Sequence, residues 1–206
     1  MAEPLRLNDA FRLTAKHLSR AGVDFAVIGG LAVAARSEPR FTRDIDFAVL
    51  AKNDPEAEKL VNFLLRSGYE LKAALERTGL SRLSTVRLFR SEEPRILVDL
   101  LFSSSGIEPE VVLGATPLEI LGEIVKVATV GHLIAMKLFS HDDVRRPQDR
   151  VDLAQLLLVT REEDLAVASE ALSLIEDRGF HQGRDLKTEF RALIDLHYER
   201  DIEPTL

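Results

Sequence analysis

The chain is 206 residues long, 46% hydrophobic and 30% charged, with a formal net charge of -7, a balance expected of an ordinary soluble protein with one full core, or a main domain carrying a helical appendage. It contains no cysteine, which excludes disulfides, thiolate zinc sites and cysteine nucleophiles. No apolar run approaches the roughly 20 residues of a membrane-spanning helix, and Met1-Ala2-Glu3-Pro4 lacks the basic-then-apolar build of a signal peptide, so the expected location is the cytoplasm.

Leu7, Ala10, Phe11, Thr14 and Leu18 recur at helical spacing and predict a helix over 5–21, stopped by Gly22. A short apolar strand over 25–28 runs directly into Gly29-Gly30, and a helix over 31–36 starts on those glycines. A helix N-terminus offers unpaired N–H groups to an anion, and glycine lets a phosphate approach the backbone closely. Ser37-Glu38-Pro39 breaks that helix, and a second strand covers 44–50. An amphipathic helix follows over 55–66, with Leu60, Phe63 and Leu64 at core spacing. Further strands are expected over 69–73, 85–90 and 96–102, then a hairpin over 118–121 and 123–127. Beyond residue 128 the pattern turns helical, over 132–141, 148–159, 162–177 and 186–198. The predicted fold is therefore α/β (α+β), with a mixed-sheet domain over 1–128 and a helical bundle over 129–206.

Carboxylates occupy particular places in this pattern. Asp44 and Asp46 stand at i and i+2 of one strand, so both point to the same face while Ile45 and Phe47 turn to the core. Asp99 is sunk in Ile96-Leu97-Val98-Asp99-Leu100-Leu101, where a carboxylate is costly to bury without a partner or a cation. Magnesium favours one or two carboxylates plus substrate phosphates. A third carboxylate on a neighbouring strand suits a pair of ions about 3.5–4 Å apart that promotes in-line phosphoryl chemistry. Asp44, Asp46 and Asp99 are thus the candidate metal ligands and catalytic residues.

The constellation Gly29-Gly30, Asp44-x-Asp46 and a separate Asp99 resembles the signature of the nucleotidyltransferase superfamily with the polymerase-beta-like fold. The stretches Arg40-Phe41-Thr42-Arg43-Asp44-Ile45-Asp46-Phe47, Leu133-Ile134-Ala135-Met136-Lys137-Leu138 and Arg146-Pro147-Gln148-Asp149-Arg150-Val151-Asp152-Leu153 are similar to the AbiEii-type nucleotidyltransferases. Many of those are toxins of bacterial toxin–antitoxin systems. The resemblance implies transfer of a nucleoside monophosphate from an NTP to an acceptor hydroxyl, with two magnesium ions held by Asp44, Asp46 and Asp99. It implies that Gly29 and Gly30 cradle the terminal phosphates and that Lys137 adds charge there. RNA, tRNA in particular, and an antitoxin protein are the partners it implies. Nucleotidylation of a small molecule or of a protein, or a catalytically silent regulatory role on the same fold, are the alternatives.

Other charged residues carry two readings each. Arg40 either neutralises phosphate charge or pairs with a nearby acid, while Arg43 reads as structural. Asp149 and Asp152 share a helix face and suit either catalysis or a helix-start salt bridge to Arg145 or Arg146. Residues 161–206 hold twelve acidic and six basic residues, whereas Arg77, Arg82, Arg87 and Arg90 form an acid-free stretch. That stretch is either a solvated edge or a track for an RNA backbone. The five histidines show no metal-ligand spacing.

Overall fold

The computed structural model describes residues 6–77, 82–142 and 146–202. In chain order the elements are α1 (Leu7–Ala21), β1 (Phe25–Ile28), α2 (Gly29–Arg36), β2 (Asp44–Val49), α3 (Asp54–Arg66), β3 (Glu70–Arg77), β4 (Arg82–Arg90) and β5 (Glu93–Leu101). There follow α4 (Glu108–Gly114), β6 (Thr116–Ile120), β7 (Glu123–Val127), α5 (Val130–Ser140), α6 (Pro147–Val159), α7 (Glu162–Asp177) and α8 (Leu186–Ile202). The strands form one mixed sheet in the order β3-β4-β5-β2-β1-β7-β6.

Two parallel pairings lie inside this sheet, β2 with β5 and β1 with β7; the other four neighbouring pairs are antiparallel. Alternation along β2 divides its side chains as the sequence predicts. Ile45 and Phe47 are fully buried, and Phe47 stacks on Phe11 of α1 at 5.9 Å between ring centroids. Burying an aromatic or branched side chain of this size contributes about 1.5–3 kcal/mol, so the carboxylate-bearing strand is anchored by its opposite face. Asp44 and Asp46 are left on the other face, only partly covered.

α2 starts on Gly29 directly after β1. Its last turn is bolted to the β6–β7 hairpin by Arg36, which donates to Ala128 O (2.9 Å), Val127 O (2.8 Å) and Thr116 Oγ1 (2.7 Å). α5 opens on Thr129, whose hydroxyl accepts from the His132 backbone N–H at 3.4 Å, and it packs against α2, α6, α7 and α8.

The structure differs from the sequence expectation in three places. β3, β4 and β5 are longer than predicted because β3 and β4 form one extended antiparallel hairpin whose outer ends are polar. The hairpin over 116–127 begins two residues earlier, with Pro117 tolerated because β6 is an edge strand. α4 was not anticipated at all. Its signal is Ser105-x-x-Glu108 followed by Pro109, a helix-start pattern hidden in a serine-rich loop.

Candidate active site

Strand register builds the site as a row across the sheet. Asp46 of β2 stands opposite Ile28 of β1 on one side and opposite Asp99 of β5 on the other. Asp99 in turn stands opposite Arg87 of β4. Residues directly opposite in a ladder project to the same face, so Arg87, Asp99, Asp46 and the end of β1 line up on one floor. An open cavity of about 1050 Å³ lies over this row, lined by Gly29, Gly30, Asp44, Asp46 and Asp99 from the sheet side and by Lys137 and Asp149 from the helices. That volume is large enough for a nucleotide-sized ligand.

Both glycines sit in close contact with the site. Gly29 has φ 63°, and a Cβ there would lie 2.0 Å from Asp46 Oδ2. The Asp46 carboxylate therefore rests against the start of α2, with no side chain between them. At Gly30 a Cβ would meet Arg40 Nη2 at 2.7 Å and Thr42 Oγ1 at 2.9 Å. Glycine at this turn thus brings Arg40, a carboxylate and the first backbone groups of α2 to one end of the cavity.

Burial, then the charges of Asp99 and Asp44, push the Asp46 carboxyl up to about 7, while Lys137 and Arg87 pull the other way. Three acids on one wall repel one another, and partial removal from water compounds the effect. A divalent cation is the natural relief, because it outweighs the repulsion and restores the ionised form. Asp44 and Asp46 fit such an ion: they are hard oxygen donors on one face of one strand, open to the cavity.

Asp99 stands differently. The residue is 5% exposed, and both carboxylate oxygens are engaged by one guanidinium, Arg87 Nε to Oδ1 at 2.7 Å and Arg87 Nη2 to Oδ2 at 2.5 Å. The Asp99 hydrogen bond, outweighing the desolvation that opposes it, raises the Arg87 pKa further above its ordinary value. Among the described residues, no three carboxylate or imidazole side chains converge on one ion position.

Lys137 and Arg40 also reach the cavity, but each is already paired. Lys137 Nζ lies 2.6 Å from Asp149 Oδ1 and 2.8 Å from Asp152 Oδ2. Arg40 Nη2 donates to Asp152 Oδ2 at 2.8 Å, and its Nε lies 2.7 Å from Oδ1. Ser140 Oγ donates to Asp149 Oδ2 at 2.8 Å. Asp149 and Asp152 are buried and make these contacts to α5 and to the loop before β2; Arg145, one of the two partners considered for them, lies outside the described residues. Arg43, read as structural, holds its guanidinium 5.4 Å from the Phe41 ring centroid.

Two of the four arginines in the stretch are engaged within the chain. Arg87 is spent on Asp99, while Arg90 donates to Ser67 O and Glu92 Oε1 and lies over the Tyr69 ring. The side chains of Arg77 and Arg82 lie outside the described residues. Sequence reasoning also passed over the loop after β5. Ser104 and Ser105 line the cavity, and their backbone and hydroxyl groups all donate to Glu108 Oε1 at 2.7–2.9 Å. Gly106 N donates to Oε2 of the same carboxylate. The signal was the Ser-x-x-Glu spacing that also marks α4.

Known proteins share this fold. A nucleotidyltransferase-like protein from Paracoccidioides brasiliensis, described as antigenic, has a similar structure: TM-score 0.53, 20% identity, covering 92% of this chain and 95% of its own. The lincosamide antibiotic adenylyltransferase LnuA, solved with lincomycin bound, gives TM-score 0.51 at 14% identity, covering 77% of this chain and 100% of its own. At these identities the likeness concerns the fold. No curated protein matches the chain by sequence. The family described as "Nucleotidyl transferase AbiEii toxin, Type IV TA system" matches residues 13–205. The chain belongs to this AbiEii family of nucleotidyltransferase toxins.

Proposed function

We propose that the protein moves a nucleoside monophosphate from an NTP to an acceptor hydroxyl in a divalent-cation-dependent reaction. The observation that carries the proposal is the placement of Asp46 between Asp99 and the Gly29–Gly30 turn in one row of the sheet. In this reading Asp44 and Asp46 hold magnesium, which when bound neutralises charge on the triphosphate. Gly29 and Gly30 offer backbone N–H groups to the terminal phosphates at the start of α2. Arg40 and Lys137, fixed by Asp149 and Asp152, present positive charge beside them. Asp99 accepts the proton of the acceptor hydroxyl as its oxygen bonds the α-phosphorus. The α–β anhydride breaks, and pyrophosphate leaves with the bonding electrons. Such catalysis is positioning plus electrostatic stabilisation of spreading charge.

We assign residues 1–128 as the catalytic part and 129–206 as a helical part that completes the cleft. RNA, with tRNA first, is the acceptor suggested by the family's toxin character, and a neighbouring antitoxin protein is the corresponding partner. A second reading, a compact hydroxyl-bearing acceptor, is favoured by the commitment of Arg87, Arg40 and Lys137 to carboxylates within the chain. Incubation with each radiolabelled NTP and, in turn, total RNA, protein extract and small-molecule pools distinguishes them. Label in RNA with loss of transfer in Asp46→Asn supports the first reading. Label confined to another pool replaces the acceptor, and undiminished transfer by Asp46→Asn removes the site assignment.

A further inference from the structure

Two cations are the usual expectation where three carboxylates share a wall, yet only part of this wall is free to bind one. All three carboxylates line the cavity, but each oxygen of Asp99 already accepts from the Arg87 fork, whereas Asp44 and Asp46 have no such cation among the described residues. That fork is not a chance surface contact. Arg87 and Asp99 are register partners in the β4–β5 ladder, so strand pairing delivers the guanidinium to the carboxylate at a fixed height. Asp99 is 5% exposed, and a bidentate guanidinium–carboxylate pair is among the stronger charged contacts available to a protein. Asp46 is the register partner on the other side of Asp99, which puts Arg87 on the far side of Asp99 from Asp46. Positive charge is thereby supplied to Asp99 from the protein itself.

Resting on the assignment of Asp44, Asp46 and Asp99 as the reaction site, we infer that Arg87 takes the place of a second metal ion. The site holds one divalent cation at Asp44 and Asp46, and Arg87 is a positioning residue for Asp99. The guanidinium carries one charge where a second magnesium would carry two, and it cannot be lost by dilution or chelation. Asp99 is held oriented before any acceptor arrives. The two lone pairs the fork leaves can accept a hydroxyl proton, while the guanidinium charge held against the same carboxylate opposes a second cation there. Chelation should therefore remove one ion and leave the Asp99 side of the site assembled.

Manganese is the probe, because an isolated Mn2+ gives a six-line electron paramagnetic resonance spectrum and two ions about 4 Å apart give an exchange-coupled one. The intact protein is titrated with Mn2+ in the presence of each of the four α,β-methylene nucleoside triphosphates. The wild type should show the isolated spectrum only, and Arg87→Lys, which keeps a cation on Asp99, should match it. Arg87→Gln frees Asp99 and should convert the spectrum to the coupled form, and adding Asp99→Asn should return it to the isolated one. A coupled pair in the wild type overturns the inference while leaving the site assignment intact. An isolated ion in folded Arg87→Gln overturns it equally. No nucleotide-dependent Mn2+ in the wild type defeats the site assignment as well.

Discussion

Asp46→Asn exchanges an oxygen for a nitrogen of nearly the same size, and its effect should change with pH in a calculable way. Asp46 rises from an aspartate's ordinary 3.8 to about 7 in the folded chain, first through burial and then through Asp99 and Asp44. Between those two values the folded protein binds a proton that the unfolded chain has released. Stability contributed by Asp46 is therefore present at low pH and falls as pH rises towards 7. When complete, the gap is worth about 4 kcal/mol, at about 1.4 kcal/mol per tenfold change. Between about pH 5 and about pH 8 the expected loss is about 2.5 kcal/mol in the wild type, and Asp46→Asn should escape it. The assay is urea unfolding of both proteins in chelator at the two pH values, read as the change in midpoint at constant slope. The variant should gain on the wild type as pH rises. Excess magnesium should reverse the order, because it binds the folded wild type and not the unfolded chain. Parallel pH profiles for the two proteins in chelator would falsify the picture of three mutually repelling carboxylates.

Other expectations follow from single contacts. Lys137→Met leaves buried Asp149 without its cation and Asp152 with Arg40 alone; breaking a buried pair this way costs about 3–5 kcal/mol, measurable by urea unfolding. Lys137 is thus expected to lose stability as well as nucleotide affinity, and loss of affinity without loss of stability would mean that the pairing contributes nothing. Gly30→Val drives a branched side chain into Arg40 Nη2 and Thr42 Oγ1. Because these are side-chain ends, the fold should give way by small shifts, and calorimetric titration with a non-hydrolysable NTP should register at least a tenfold weaker Kd, about 1.4 kcal/mol.

The site was legible in sequence to the extent that it depends on local periodicity. Asp44 and Asp46 had to share a face because strand side chains alternate, and Gly29-Gly30 announced a close approach because the next residues read as a helix. What alternation does not carry is register between distant strands. Arg87 was read as one member of a basic stretch because nothing in residues 77–90 says which residue of β5 it will oppose. The ladder contains irregular steps, between Leu88 and Arg90 on this side, that shift the count. Lys137 posed the same difficulty. An apolar helix with one lysine demands an anion, but whether that anion is a phosphate or a carboxylate depends on how α6 docks against α5. The β3–β4 hairpin was under-read because its ends are solvated, so hydrophobic pattern marks only its middle. α4 was missed because it is only seven residues long and Glu108 draws its partners from the three residues of the preceding loop, which read as a plain serine-rich connection.

The parallel pairing of β2 with β5 also sets the order in which competence is acquired as the chain emerges and folds. Gly29, Asp44 and Asp46 belong to the β1–α2–β2 unit, whose contacts are close in sequence and form early. Asp99 lies more than fifty residues later, so it can join them only once β5 has been made and laid beside β2. Lys137 and Arg40 gain their fixed positions later still, when α6 brings Asp149 and Asp152. A growing chain therefore passes through stages that own Gly29, Gly30, Asp44 and Asp46 but lack Asp99 and the paired Lys137 and Arg40. The complete candidate site is thus assembled only once the greater part of the polypeptide has been made and packed.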